Sequence, residues 1–174
     1  SGFDSNFGDS LATGDFNGDG FTDLIVGVPK EDIKDSENAG MVQVFYGGIS
    51  PFTATEIFHQ DSPGVDGVVA SNERFGAAVA SGDLNADGYD DAIIGVPGEY
   101  RCWPAIGVCG DVGAVHILFG SANGITSAGD KYISQRTNGF SGSPNVGEEF
   151  GASVTTGDLD GDGYDDVIIG VPGE

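Results

Sequence analysis

Three nine-residue segments concentrate the oxygen ligands of this sequence. Asp15 to Asp23, Asp83 to Asp91 and Asp158 to Asp166 each read Asp-x-Asn/Asp-x-Asp-Gly-x-x-Asp. Loop positions 1, 3, 5 and 9 are Asp15, Asn17, Asp19 and Asp23 in the first copy and Asp83, Asn85, Asp87 and Asp91 in the second. In the third they are Asp158, Asp160, Asp162 and Asp166. Hard cations such as Ca²⁺ take roughly six to eight oxygens, so a short loop must turn back on itself to converge several side chains and a backbone carbonyl. Gly at position 6 (Gly20, Gly88, Gly163) permits the positive φ of that turn. The carbonyl at position 7, from Phe21, Tyr89 or Tyr164, is the expected backbone ligand. The chemistry expected is Ca²⁺ binding at three sites, with no catalytic residue among them.

Positions 1 to 6 look like an EF-hand, but that motif needs a bidentate Glu at position 12 and flanking helices. Position 12 is Val26, Ile94 or Ile169, each within an apolar run, so the last ligand falls at position 9 and the loops join two strands. Dockerin-like and thrombospondin-type calcium repeats fail on the same grounds, having helices or little apolar core between loops. The bland alternative is that Asp-Gly pairs merely solvate hairpin tips. The identical ligand spacing in three copies argues against it. The loops hold 12 of the 28 acidic residues, counting Asp90 and Asp165 as non-ligating neighbours, and such clusters repel without a cation.

The loops sit inside a longer repeat. Phe7-Gly8, Phe75-Gly76 and Phe150-Gly151 each begin 8 residues before the first Asp of a loop, and Gly-Val-Pro follows it with its Gly (Gly27, Gly95, Gly170) 12 residues on. The copies are offset by 68 and 75 residues, right for a four-stranded unit. A short alternating run precedes each loop, as at Ala77 to Ala80. A continuous apolar run follows it (Leu24 to Val28, Ala92 to Val96, Val167 to Val171), as in a strand buried on both faces. A third strand is expected over Met41 to Tyr46 and Ala114 to Phe119. A fourth, at the outer edge, is expected over Thr55 to Gln60 and Lys131 to Gln135. No stretch carries an apolar stripe of helical period, and the frequent Gly disfavours helix, so the class is all-β. The expected units are 1–74, 75–149 and 150–174, the last being half a repeat.

A formal charge of -22 repels nucleic acid and anionic lipid. The longest apolar runs are far below the roughly 20 residues of a membrane helix. The chain opens without Met or a leader, as a processed or excised segment does. The second repeat is longer than the first between Gly-Val-Pro and its third strand, and the extra residues fall around Cys102 and Cys109. This pair, with no His or further Cys nearby for zinc, either closes a disulfide on a surface hairpin tip, implying an oxidising compartment, or remains two reduced, half-buried thiols.

Phe-Gly, then the acidic loop, then Gly-Val-Pro in place of Gly-Ala-Pro, resembles the FG-GAP repeat of integrin α-subunits and related bacterial surface proteins. The resemblance covers two repeats and the first half of a third. It implies a seven-bladed β-propeller with Ca²⁺ held between the first and second strands of a blade, although two and a half blades cannot close such a ring. It also implies adhesion or protein recognition.

The leading reading is an extracellular or cell-surface module with structural Ca²⁺ and a protein or matrix ligand. It has no nucleic-acid partner and no membrane insertion. The alternative is a propeller attached to, or forming, a secreted hydrolase or lyase, for which no Gly-x-Ser-x-Gly or His-Glu-x-x-His motif speaks. His59 and His116 are expected to be ordinary strand residues, and Phe7, Phe75 and Phe150 core anchors. Trp103 is expected to pack over the disulfide rather than serve as a recognition anchor. The apolar run Val167 to Val171 is expected to leave an open edge, so that the chain either pairs with a second copy or exists naturally only within a longer propeller. Because charge count tunes affinity, the third loop, with four carboxylates, is expected to bind Ca²⁺ most tightly. In a metal titration Asp160→Asn should weaken that site selectively, whereas a substitution outside the loops should not.

Overall fold

A computed structural model of the chain describes residues 5–49, 54–137 and 144–173. The parts of the expected units at 1–4, 50–53, 138–143 and 174 lie outside the described residues. The architecture is all-β. One sheet contains β1 (Ser10–Gly14), β2 (Asp23–Val28), β3 (Met41–Tyr46) and β4 (Ala54–Phe58), antiparallel and adjacent in chain order. A second sheet repeats this with β5 (Ala78–Gly82), β6 (Asp91–Val96), β9 (Ala114–Phe119) and β10 (Thr126–Ile133). Between β6 and β9 stands a hairpin of β7 (Tyr100–Trp103) and β8 (Val108–Asp111), joined through one 3-10 turn at Pro104–Ile106. The strands β11 (Ser153–Gly157) and β12 (Asp166–Gly170) form a two-stranded third sheet. Among the described residues no helix is long and apolar enough to cross a membrane.

Local chemistry explains the elements. The runs Leu24 to Val28 and Ala92 to Val96 are rich in β-branched residues and lie in the middle of their sheets, where almost every side chain is buried. The fourth strands sit at the edges but differ in extent from the sequence expectation. β4 stops at Phe58, because the Ser62 amide donates to the His59 carbonyl (2.8 Å) and the Ser62 hydroxyl accepts from the His59 amide (3.0 Å). His59 is therefore a turn residue and not a strand residue. β10 begins at Thr126, ahead of the expected Lys131, and its pairing with β9 is interrupted by a bulge before Lys131. Ser127-Ala128-Gly129-Asp130 has little strand propensity, which hid this part of the strand. In the hairpin, Cys102 and Cys109 are directly opposite and joined by a disulfide. The Trp103 ring meets the Arg136 guanidinium at 5.7 Å.

The sheets stack through their first strands, β1 beside β5 and β5 beside β11. Hydroxyls tie these strands together: Ser10 donates to the Gly76 carbonyl (2.8 Å) and Ser81 to the Thr13 carbonyl (2.7 Å). The Gly of Gly-Val-Pro makes the close approach possible. A Cβ on Gly27 would lie 2.1 Å from the Gly76 carbonyl oxygen, and one on Gly95 2.1 Å from that of Gly151. Phe75 bridges to Gly40 and Phe150 to Gly113, so each Phe is buried against the sheet before its own. Phe7 departs from expectation. It is 58 % exposed, with its ring edge-on to Phe45, because no sheet precedes its own among the described residues. The opposite gradient runs along the loop apolar residues, from Phe16, fully buried, to Leu159, 71 % exposed, because the following sheet does the covering. In the same way β12 is only partly buried and pairs only with β11 among the described residues.

A buried polar network lies where the first two sheets meet. Gln60 donates to Glu99, Arg101 pairs with Glu99 (3.0 Å) and donates to the Tyr132 hydroxyl (2.9 Å), and the guanidinium lies over the Tyr132 ring. His116 lies in β9, the strand expected for it, and is fully buried with Nδ1 2.8 Å from Asp130. Glu73 is only 2 % exposed. Burial, and after it the Glu99 charge, raises its carboxyl to about 7, despite hydrogen bonds from the Ala70 and Tyr100 amides.

Two measurements follow from this packing. Gly95→Ala must push backbone from backbone and should destabilise by about 2 kcal/mol in urea unfolding. Gly157→Ala, with no atom within 4 Å of its Cβ, should be close to neutral. The folded-state pKa of Glu73 lies above its unfolded value, so the charged carboxylate costs stability once pH passes 4.5, and the full cost is present above pH 7. Glu73→Gln retains an acceptor for Ala70, so it should raise stability at pH 8 by on the order of 2 kcal/mol and leave it nearly unchanged at pH 4.5. Equal effects at the two pH values would contradict this.

Candidate metal loops

Each acidic loop leaves the end of one strand and enters the next: β1 to β2, β5 to β6, β11 to β12. The position-1 carboxylate gathers the loop around itself. Asp15 accepts from the Asp19 and Gly20 amides (3.1 and 2.9 Å), Asp83 from Asp87 and Gly88 (3.1 and 2.9 Å), and Asp158 from Asp162 and Gly163 (3.1 and 3.1 Å). Position 3 caps the same turn whether amide or acid: Asn17, Asn85 and Asp160 accept from the position-5 amide at 2.9, 2.9 and 3.2 Å. Position 5 in turn accepts from the amide of Phe21, Tyr89 or Tyr164. The position-6 glycines have φ of 82°, 90° and 91°, the left-handed turn expected of them.

Position 9 closes the loop from the strand side. Asp23 and Asp91 are fully buried, and each holds two amides: Phe16 and Gly47 for Asp23 (2.9 and 2.8 Å), Leu84 and Gly120 for Asp91 (3.1 and 2.9 Å). Asp166 accepts from Leu159 at 3.0 Å. Burial pushes the Asp91 carboxyl up to about 6, and that of Asp23 in the same direction. Among the described residues no ion pair joins a Lys or Arg to any loop carboxylate. The donor set is all oxygen, hard and short of positive charge, which fits a cation such as Ca²⁺. In the third loop, Asp158, Asp160 and Asp166 each offer an oxygen within 4.8 Å of the others.

Position 8 is more than the non-ligating neighbour expected from sequence. The Asp90 carboxylate accepts from the Asp15 amide (2.7 Å) while its own amide donates to the Asp15 carbonyl (3.1 Å). Asp165 does the same to Asp83, at 3.1 and 3.0 Å. The doubled Asp in Tyr-Asp-Asp was the available signal, but its target lies one repeat away. The polar network around Glu99 was likewise unreadable, since Gln60 and Glu99 are 39 residues apart and Arg101 and Tyr132 are 31 apart.

The FG-GAP repeat family matches residues 7–45, 75–118 and 150–174. The chain is similar to integrin alpha-PS5 of Drosophila melanogaster, with 33 % identity over 96 % of this chain and 15 % of that protein. It is similar to integrin alpha-4 of Xenopus laevis at 35 % over 95 % of this chain, and to integrin alpha-V of Gallus gallus at 30 % over 97 %, each match covering 14 % of the relative. The chain thus spans no more than 15 % of the length of these relatives. With the matched segments falling on the repeated strand–loop–strand units and their four-stranded sheets, the chain belongs to the FG-GAP repeat family and its sheets are integrin-like propeller blades.

Proposed function

We propose that this chain is an extracellular, non-enzymatic recognition or adhesion module whose blades are stabilised by Ca²⁺ in three loops. The observation that carries the reading is the threefold recurrence of one all-oxygen loop, uncompensated by any basic side chain among the described residues. Asp15, Asn17, Asp19 and Asp23 would hold the ion in the first loop, with the Phe21 carbonyl. Asp83, Asn85, Asp87 and Asp91 would do so in the second, with the Tyr89 carbonyl. Asp158, Asp160, Asp162 and Asp166 would do so in the third, with the Tyr164 carbonyl. A bound Ca²⁺ supplies the positive charge that offsets carboxylate repulsion. The chain's own part is to fix the turn between the first two strands of each blade and so to keep consecutive blades in register.

The similarity to integrin α-subunits and the Cys102–Cys109 disulfide support a place outside the cell and a protein or matrix partner. Self-association through the uncovered edge of β12 belongs to the same reading.

Chelation tests it. A ligand bound only to the native state adds about 2.7 kcal/mol per site at 100 times Kd. Thermal unfolding in millimolar Ca²⁺ should therefore lie well above unfolding in EDTA. Coincident melting curves would remove the structural role of calcium.

A further inference from the structure

We propose that Ca²⁺ binding in successive loops is cooperative, and that Asp90 and Asp165 are the residues that couple them; the inference rests on the calcium reading above. Asp90 stands between two expected ligands of the second loop, the Tyr89 carbonyl and the Asp91 carboxylate. Its side chain and backbone nevertheless grip Asp15, the first ligand of the loop before, through the two hydrogen bonds already described. Asp165 stands between Tyr164 and Asp166 and grips Asp83 in the same way.

Three further observations make this a built contact. Gly14 and Gly82, immediately before the loops, leave room for the incoming carboxylates. A Cβ at Gly14 would lie 2.7 Å from an Asp90 carboxylate oxygen, and one at Gly82 2.5 Å from an Asp165 oxygen. Gly157, at the same place in the third copy, has nothing within 4 Å. The Tyr89 ring, from position 7 of the second loop, lies against Gly18 of the first, 2.6 Å from where a Cβ would stand. The Ser121 amide, just past β9, donates to the Phe16 carbonyl at 3.1 Å.

An ordered second loop therefore holds Asp90 at a fixed place and with it the backbone of Asp15, whose carboxylate organises the first loop. Loosening the second loop releases that grip. Ordering entropy spent on one site is then not spent again on its neighbour, which is positive coupling, and linkage makes it reciprocal. Thr22 occupies position 8 of the first loop, so the chain of grips runs from the third loop to the second and from the second to the first.

Ca²⁺ titration of the chelator-stripped full chain, followed by the amide resonances of Gly20, Gly88 and Gly163, reads the three loops separately. Asp87→Ala should disable the second loop and raise the midpoint at Gly20 by at least about fivefold. Asp19→Ala should raise the midpoint at Gly88 by the same factor. In an Asp90→Ala background, adding Asp87→Ala should leave the Gly20 midpoint where Asp90→Ala alone put it. Asp90→Asn, which keeps an acceptor oxygen, should preserve the coupling. Should Asp90→Ala not fold, Gly14→Ala, whose Cβ displaces the same carboxylate, replaces it as the uncoupling variant. If all three glycines respond to Ca²⁺ but Asp87→Ala leaves Gly20 unmoved, the coupling is overturned and the calcium reading stands. Coupling that survives both uncoupling variants overturns the assignment to Asp90. If no glycine responds, the calcium reading itself fails.

Discussion

The distance at which consecutive blades meet governs the rest of this structure. Backbone approaches backbone where Gly27 faces Gly76 and Gly95 faces Gly151, with no space for even a methyl group between them. At such a separation the peptide groups must find partners across the seam, because water is excluded and an unpaired buried amide or carbonyl costs about 1–3 kcal/mol. The Ser10 and Ser81 hydroxyls, and the amides of Phe75 and Phe150 that donate to the Ala39 and Val112 carbonyls, meet that demand. Side chains then fill what the backbones leave open: Phe75 and Phe150 from one direction, Phe16 and Leu84 from the other.

That geometry also explains why the acidic loops are where they are. Each occupies the end of the first strand, the element closest to the neighbouring blade, so its shape is transmitted to the seam. A loop of four oxygen-bearing residues, drawn together by its own amides and lacking basic partners among the described residues, is a poor hinge unless its charge is offset. The opposite arrangement holds where Gln60, Glu99, Arg101 and Tyr132 pair among themselves between the first two sheets. Glu99 is balanced there by Arg101, whereas the loop carboxylates have no basic partner among the described residues.

Much of this was legible in the sequence because it is periodic. The strand–loop–strand units, the apolar runs of the second strands and the Gly at position 6 all repeat three times, so local pattern and copy number reinforce each other. What escaped is what depends on neighbours in space. Phe7 has the same sequence surroundings as Phe75 but not the same sheet in front of it. His59 alternates properly for a strand, yet Ser62 turns the chain away. The early part of β10 carries turn-forming residues that a bulge accommodates. Asp90 and Asp165 read as surplus acids because their hydrogen-bond partners are 75 and 82 residues distant.

Phe75 is received by the edge of the preceding blade at Gly40, and Phe150 by Gly113. The first two units therefore each carry both a plug and a socket, and the two are encoded within one stretch of the gene. Tandem duplication of such a stretch yields a copy that already fits its parent on either side, with no second change needed to create an interface. The cost appears later. A substitution in a plug can be accommodated only by the socket of another copy, so the units cease to be interchangeable as they diverge, and a blade moved to a new place in the row meets a neighbour that no longer fits it.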